Sequence, residues 1–129
     1  MDLNNRIRRV LAQHDGIRLA ILFGSLANGR ATPQSDLDLA VLTGAPLSAE
    51  TKMALIGDLS QAIGRPVDLI DLRVTGEPIL GQILKHGVRL LGSDSDYAEL
   101  LKRHLFEEAD FMPYRRRILA ERRQAWIGK

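Results

Sequence analysis

Three short apolar runs constrain the fold of this chain more than any other feature of its sequence. They are Ile17–Phe23, Asp36–Leu42 and the segment VDLIDL at residues 67–72. Each run has the length of a β-strand, and in the second run apolar side chains alternate with Asp36 and Asp38. The runs therefore predict three buried strands, the second of which carries two carboxylates on one face.

The segments around these runs have the period of amphipathic helices. We expect Asp2 to cap a first helix that Gly16 ends, and Ser48 to cap a helix that Gly64 ends. Shorter helices are predicted after Gly24-Ser25, from Pro78 to Gly87 and from Tyr97 to Met112, with a fourth strand at Val88–Leu91. The side chains predicted to face inward from the later helices include Met53, Leu59, Ile63, Ile79, Leu80, Ile83, Tyr97, Leu100, Leu101, Leu105 and Phe111. This order of elements predicts an α/β (α+β) fold, a small mixed β-sheet covered by helices.

Composition limits the class of protein. A chain of 129 residues with 45% hydrophobic and 26% charged residues is typical of one globular domain. Cysteine is absent, which excludes a disulfide framework and a thiolate metal site. No apolar run approaches the length of about 18 residues that a membrane span needs, and the N-terminus lacks the apolar core of a signal peptide. We therefore predict a cytoplasmic protein with no membrane association.

The charge of the chain is unevenly distributed. The net charge is +2, but the C-terminal segment is strongly basic, with Arg115, Arg116, Arg117, Arg122, Arg123 and Lys129 against Glu121 alone. Because Pro113 disfavours a continuous helix, we predict a domain at residues 1–112 and a basic helical tail at residues 113–129. The tail packs on its own domain or docks a partner. Direct nucleic-acid binding is not expected, since the rest of the chain is mildly acidic.

Carboxylates and a glycine–serine turn form a candidate catalytic constellation. Asp36 and Asp38 are two apart on a predicted strand, so their side chains lie on one face, about 6–7 Å apart along the backbone. Asp68 lies in the next predicted strand, and it can join them across one step of about 4.8 Å if the two strands are neighbours. Such a set suits magnesium, a hard ion that binds a few carboxylates together with substrate phosphates. Gly24 and Ser25 follow the first strand, where a close backbone approach and helix N-terminal amides can hold a phosphate.

Each of these features alone has an ordinary structural interpretation. An isolated Asp-x-Asp pair usually caps a loop or is solvated, and Gly-Ser after a strand is common turn chemistry. Asp71 is expected to end its strand on the opposite face from Asp68. The joint order of strand, Gly-Ser, Asp-x-Asp strand, helix and Asp-bearing strand is what points to phosphoryl or nucleotidyl transfer.

Gly24-Ser25, ten intervening residues and Asp36-Leu37-Asp38 resemble the GS-x10-D-x-D signature of the DNA polymerase β-like nucleotidyltransferase superfamily. The chain is most similar to its minimal nucleotidyltransferase (MNT) branch. The segments LFGSLANGRATPQSDLDLAVL, VDLIDL and ILGQILKHGVRLLG resemble those of MntA-type antitoxins, which pair with HEPN-domain toxins. The resemblance covers roughly residues 15–95.

The resemblance implies a fold, a site and a reaction. It implies that Asp36 and Asp38 bind Mg²⁺ and the nucleotide, that Gly24 and Ser25 hold phosphate oxygens, and that Asp68 is the third catalytic and metal-binding carboxylate. It implies two Mg²⁺ ions, ATP as co-substrate, and transfer of AMP to a tyrosine of a HEPN RNase toxin, with which the antitoxin forms a hetero-oligomer.

Two alternative functions remain open from the residues. One is transfer of a nucleotide to a small molecule, although enzymes of that kind usually carry a larger second domain for the acceptor. The other is a non-catalytic antitoxin that neutralises its partner by stoichiometric binding.

Overall fold

The computed structural model describes residues 2–109, which form a four-stranded mixed sheet with five helices. The elements follow the order α1 (Leu3–Leu11), β1 (Ile17–Phe23), α2 (Ser25–Asn28), β2 (Leu37–Thr43), α3 (Ala49–Ile63), β3 (Val67–Asp71), α4 (Ile79–His86) and β4 (Val88–Gly92). A fifth helix, α5, occupies residues 94–109. The predicted α/β fold and its alternation of elements are confirmed.

The strand order of the sheet is β3-β2-β1-β4. β1 pairs antiparallel with β2 and with β4, whereas β2 pairs parallel with β3. The parallel pair requires a crossover, which α3 supplies. As a result, β2 and β3 begin at the same end of the sheet, and the residues that precede the two strands lie close together there.

Local sequence sets the ends of two helices. The Asp2 carboxylate accepts a hydrogen bond from Asn5 N at 2.8 Å, and the Ser48 hydroxyl accepts one from Thr51 N at 3.1 Å, as the N-cap signals predict. Gly64 ends α3 with a φ of 76°, a conformation that favours glycine. α1 ends at Leu11, earlier than expected, because a series of turns comes between it and Gly16.

The sheet is covered on both faces. On one face, α1 and α3 pack against the sheet through a core that includes Ile7, Leu11, Leu55, Leu59, Leu39 and Leu69. On the other face, α4 and α5 pack through Leu80, Ile83 and Leu100 against Leu19, Ile21 and Ala40. Because side chains alternate along a strand, Asp38 lies on the same face as Ala40. The N-terminal end of β2, which carries Asp38, therefore faces the side of the sheet that α4 and α5 cover.

Four side chains expected to face inward are exposed instead: Met53 (73%), Ile79 (51%), Leu101 (38%) and Leu105 (56%). In α3 the stripe that packs on the sheet is Leu55, Leu59 and Ile63, and Met53 lies about 120° around the helix from Leu59. In α5 the buried position is Leu100. An apolar repeat therefore identified each helix, whereas the rotation of the helix on the sheet was decided by packing.

The boundary predicted between residues 112 and 113, the basic tail and Phe111 lie outside the described residues 2–109. Over the described range, none of the helices combines the length and apolar character that a membrane span requires.

Candidate functional site

Asp38 and Asp68 are direct cross-strand partners. The parallel pairing of β2 with β3 places Asp38 opposite Asp68 and Leu39 opposite Leu69. Side chains that are opposite each other in a ladder point to the same face of the sheet. The expectation that the two strands are neighbours and that both carboxylates share a face is therefore met.

Asp36 lies just outside the strand that was expected to begin with it. β2 starts at Leu37, and Asp36 is the last residue of the loop that leads into it. Its side chain is exposed, whereas that of Asp38 is half-buried. Asp36 contributes to the electrostatic environment of Asp38, as described below, and its orientation depends on the loop as well as on the pleat of the strand.

Gly24 brings the backbone against the Asp38 carboxylate. Phe23, the last residue of β1, pairs with Asp38, and the chain turns at Gly24 with a φ of 73°. A Cβ atom at Gly24 would lie 2.1 Å from Asp38 Oδ2, so any larger residue would displace the carboxylate. Ser25 begins the short helix α2 and is half-buried. The glycine–serine turn and the carboxylates thus lie at one end of the sheet.

Partial burial and neighbouring like charges both raise the pKa of Asp38. Burial raises the pKa of Asp38 above its ordinary value of 3.8, and the neighbouring charges of Asp68 and then Asp36 raise it further. All three causes oppose the ionised form. The arrangement therefore concentrates negative charge at one point, which a cation would relieve.

The carboxylates fit magnesium only together with further ligands. Among residues 2–109, no three histidine, aspartate or glutamate side chains are arranged so that they could hold a metal ion by themselves. The three predicted carboxylates therefore do not make a complete coordination shell on their own. Magnesium usually keeps several waters and binds one or two carboxylates plus substrate phosphates, and the carboxylates of this edge suit such incomplete coordination.

Asp71 occupies the other end of β3 and has a different environment. It is buried, and its two carboxylate oxygens accept hydrogen bonds from Leu47 N at 2.8 Å and Arg73 N at 2.9 Å. The prediction that Asp71 ends its strand is confirmed.

Arg65 contacts the loop before Asp36 and was not singled out from the sequence. Its guanidinium donates to the carbonyl oxygens of Thr32 and Ser35, both at 2.8 Å. No periodicity or motif marks this residue, and its position between a helix-ending glycine and a proline suggests only a connection.

Comparison with known families gives one match that spans most of the chain. The family model described as polymerase β, nucleotidyltransferase matches residues 5–96. The matched range contains the glycine–serine turn, all three carboxylates and all four strands.

Known relatives of the chain include a characterised enzyme and toxin–antitoxin complexes. The protein adenylyltransferase MntA of Shewanella oneidensis is 32% identical over 93 residues, which are 71% of this chain and 67% of the relative. A chain in the crystal structure of a toxin–antitoxin with AMP-PNP is 26% identical and superposes with a TM-score of 0.82, over 93% of this chain and 98% of that chain. A chain in the structure of a tri-AMPylated Shewanella oneidensis HEPN toxin in complex with an MNT antitoxin is 25% identical, with a TM-score of 0.74 over 92% and 93% of the two chains.

Proposed function

Because the chain belongs to the polymerase β nucleotidyltransferase family, we propose that it is an antitoxin that transfers AMP from ATP to a tyrosine of a HEPN-domain toxin. One observation carries the proposal: Asp38 and Asp68 share a face in register, and the Gly24 backbone lies against Asp38. The relatives support the choice of acceptor, since the likeness extends beyond the nucleotide-binding motif to nearly the whole antitoxin-sized chain.

The reaction joins a tyrosine oxygen to the α-phosphorus of ATP. The bond between the α-phosphorus and the oxygen bridging to the β-phosphate breaks, and diphosphate leaves. A free tyrosine hydroxyl has a pKa near 10, so it is a poor nucleophile at neutral pH and must lose its proton as it attacks. We assign the role of proton acceptor to Asp68, which is exposed on the face it shares with Asp38.

The glycine–serine turn binds and orients the triphosphate. Gly24 lets the backbone approach the phosphate oxygens, and the Ser25 hydroxyl with the first amides of α2 donates hydrogen bonds to them. Fixing the α-phosphorus in line with the attacking oxygen supplies a large part of the rate, because phosphoryl-type transfers depend chiefly on positioning and charge stabilisation.

Asp36, Asp38 and Asp68 hold magnesium in this proposal. Two Mg²⁺ ions, when bound, neutralise the negative charge of the triphosphate and of the leaving diphosphate. Asp36 and Asp38 would hold the ion that accompanies the nucleotide, and Asp68 would contribute the third carboxylate. Burial raises the pKa of Asp38, and the charges of Asp68 and Asp36 raise it further; a bound cation would relieve the part that is due to charge, which supports this assignment.

The acceptor determines the partner and the place of the reaction. A toxin that presents its tyrosine must rest against the edge of the sheet at Gly24 and Asp38, so the antitoxin and toxin form a hetero-oligomer. The reaction consumes ATP, and we expect it to occur in the cytoplasm.

The proposal is tested by incubating the chain with ATP, Mg²⁺ and the product of the neighbouring gene, which the proposal expects to be a HEPN protein, and then measuring the intact mass of this partner. The expected result is a mass increase by one or more adenylyl groups and a parallel loss of the partner's RNase activity. Peptide mapping then locates the modified tyrosine.

Two controls separate transfer from binding. α,β-Methylene ATP, in which the scissile bond cannot break, must leave the partner's mass unchanged, and so must the chain with Asp36→Asn and Asp38→Asn. Inhibition of the RNase at equal molar ratio without any change in mass would contradict catalysis and favour a stoichiometric antitoxin. Unmodified and uninhibited partner would contradict the assigned acceptor.

A further inference from the structure

The loop between α2 and β2 delivers Asp36 to the candidate site. It holds itself through a turn in which Ser35 N donates to Thr32 O at 3.0 Å and Thr32 N donates to the Ser35 hydroxyl at 2.7 Å. These contacts are local and give the loop a shape. They do not fix where the loop sits relative to the strands that carry Asp38 and Asp68.

Two consecutive residues from the α3–β3 connection fasten this loop on either side of Asp36. Before it, the Ser35 carbonyl accepts from Arg65 Nη1 at 2.8 Å. After it, Leu37 N donates to Pro66 O at 2.8 Å. Asp36 is therefore held between two attachments to the segment that leads directly into Asp68.

The arginine makes this attachment more than a single strand-pairing bond. Arg65 Nη1 also donates to the Thr32 carbonyl at 2.8 Å, so one nitrogen closes both ends of the Thr32–Ser35 turn. Arg65 is half-buried. These hydrogen bonds link the segment that precedes β3 to the loop that carries Asp36.

We propose that Arg65 is a positioning residue for the Mg²⁺-nucleotide site, which sets Asp36 relative to Asp38 and Asp68 without contacting substrate. The inference rests on the proposed function for the identity of the ligand. Its role is pre-organisation: carboxylates that repel one another keep a metal-binding spacing only if the backbone holds them. Loss of the arginine lets the loop carry Asp36 away from its neighbours.

The opposite end of the same strand pair offers a matched control. Arg73 follows β3 and donates from Nε to the carbonyl of Thr43, the last residue of β2, at 2.6 Å. Like Arg65, it joins a residue next to β3 to a backbone carbonyl of β2 or of the loop before it, but it lies at the opposite end of these strands from the three carboxylates. A purely structural role predicts similar effects at both arginines, whereas a positioning role predicts a metal-dependent effect at Arg65 alone.

The experiment compares Arg65→Met, Arg65→Lys and Arg73→Met with the wild type. Binding of Mn²⁺ in the presence of α,β-methylene ATP is followed by electron paramagnetic resonance, and AMP transfer is measured across a Mg²⁺ titration. We expect Arg65→Met to weaken metal binding about 10-fold, the usual size of losing a group that orients a ligand, and to recover much of its kcat at saturating Mg²⁺. Arg65→Lys should bind metal with an affinity between those of Arg65→Met and the wild type, because its ammonium can donate to both carbonyls. Arg73→Met should bind metal as the wild type does.

Each outcome decides a different part of the inference. Wild-type metal dependence in Arg65→Met, or equal losses in Arg65→Met and Arg73→Met that follow their melting temperatures, would overturn the role of Arg65. A wild type that binds Mn²⁺ and nucleotide but transfers no AMP would overturn the proposed function. In that case the Mn²⁺ affinities of Arg65→Met and Arg73→Met would still test the role of Arg65. A wild type that binds no Mn²⁺ would overturn both.

Discussion

The two ends of β3 place an aspartate in opposite environments. Asp71, at the end of the strand, is buried and receives two backbone N–H groups. Asp68, near its start, faces Asp38 across the ladder, and its charge adds to the burial that raises the pKa of Asp38. At one end of the strand, backbone N–H groups bind the carboxylate of Asp71. At the other end, the carboxylate of Asp68 lies beside a second carboxylate, that of Asp38.

The difference separates structural from ligand-binding carboxylates. A buried charge that only stabilises a fold is met by hydrogen-bond donors, because an unpaired charge is costly. A group of carboxylates set beside one another lowers the stability of the free chain, and it becomes favourable when a cation arrives. Asp71 binds the backbone of the loop after β2, whereas Asp36, Asp38 and Asp68 are the carboxylates that we propose bind the cation.

The largest effect is expected at Asp38. Asp38→Asn should lower the rate of AMP transfer on the order of 10²- to 10³-fold, the size of losing one pre-organised electrostatic group, and leave the fold intact. The measurement is kcat/KM from intact-mass time courses, with circular dichroism as the check on folding. Asp15→Asn, an exposed residue of the α1–β1 connection, is the charge-matched control and should retain the wild-type rate. Equal rates in Asp38→Asn and the wild type would remove Asp38 from the site.

A substitution at Gly24 tests whether activity needs the close approach of the Gly24 backbone to the Asp38 carboxylate. In Gly24→Ala the new methyl group meets Asp38 Oδ2, and a displacement of about 1 Å can reduce activity about 10²-fold. Gly64 has a φ of 76°, similar to the 73° of Gly24, but nothing lies within 4 Å of its added Cβ. Gly64→Ala should lose about 1–2 kcal/mol in the free energy of unfolding for its left-handed backbone. Gly24 has a ψ of −157°, a region almost exclusive to glycine, so Gly24→Ala should lose about 1–3 kcal/mol, and only this variant should lose activity in its folded fraction. The same loss of AMP transfer in both would show that the contact with Asp38 is irrelevant.

At the other end of β3, the main effect should be on stability. Asp71→Ala leaves the Leu47 and Arg73 amides without their acceptor, which should lower the free energy of unfolding by about 1–3 kcal/mol. Urea denaturation measures the change. The folded variant should retain its kcat, since Asp71 is on the opposite face from Asp68. A loss of kcat larger than the loss of folded protein would break the distinction between the two ends.

The smallest effect is a pH-dependent change in stability. The raised pKa of Asp38 means that the folded chain holds this proton more tightly than the unfolded chain, so its stability falls as pH rises from 3.8 through the folded-state pKa. Metal-free Asp38→Asn should therefore melt slightly above the wild type at neutral pH, and the two should converge at pH values below 3.8. Calorimetric scans across this range give the answer. Added Mg²⁺ and nucleotide should stabilise the wild type and reverse the order. A variant that melts below the wild type throughout, without ligand, would contradict the raised pKa of Asp38.

Much of the architecture was predictable because it rests on local signals. The strand runs, the caps at Asp2 and Ser48 and the glycine at position 64 all depend on neighbours within one turn or one pleat. Their predicted elements are confirmed. The exposed Met53 shows the limit, since its place in an apolar repeat did not tell which side of the helix meets the sheet.

The candidate site was predictable in composition and only partly in geometry. The spacing of Gly24, Ser25, Asp36 and Asp38 follows from the chain itself, whereas the pairing of Asp38 with Asp68 depends on a parallel register across an intervening helix. The roles of these residues in binding and catalysis stay predictions. Arg65 could not be found from sequence, because its partners lie 30 and 33 positions away and a lone arginine carries no pattern.

By itself the sequence determined which segments become strands and helices, and that a glycine–serine turn and an Asp-x-Asp pair are ten residues apart. Those properties arise from side-chain period, backbone preference and chain connectivity, which act over short distances. Only the tertiary structure decided that β3 lies beside β2 in the register that pairs Asp38 with Asp68. It also decided that Arg65, from the connection between α3 and β3, bonds to the loop that carries Asp36. Contacts between distant segments depend on how both faces of the sheet pack at once, and no local pattern records that outcome.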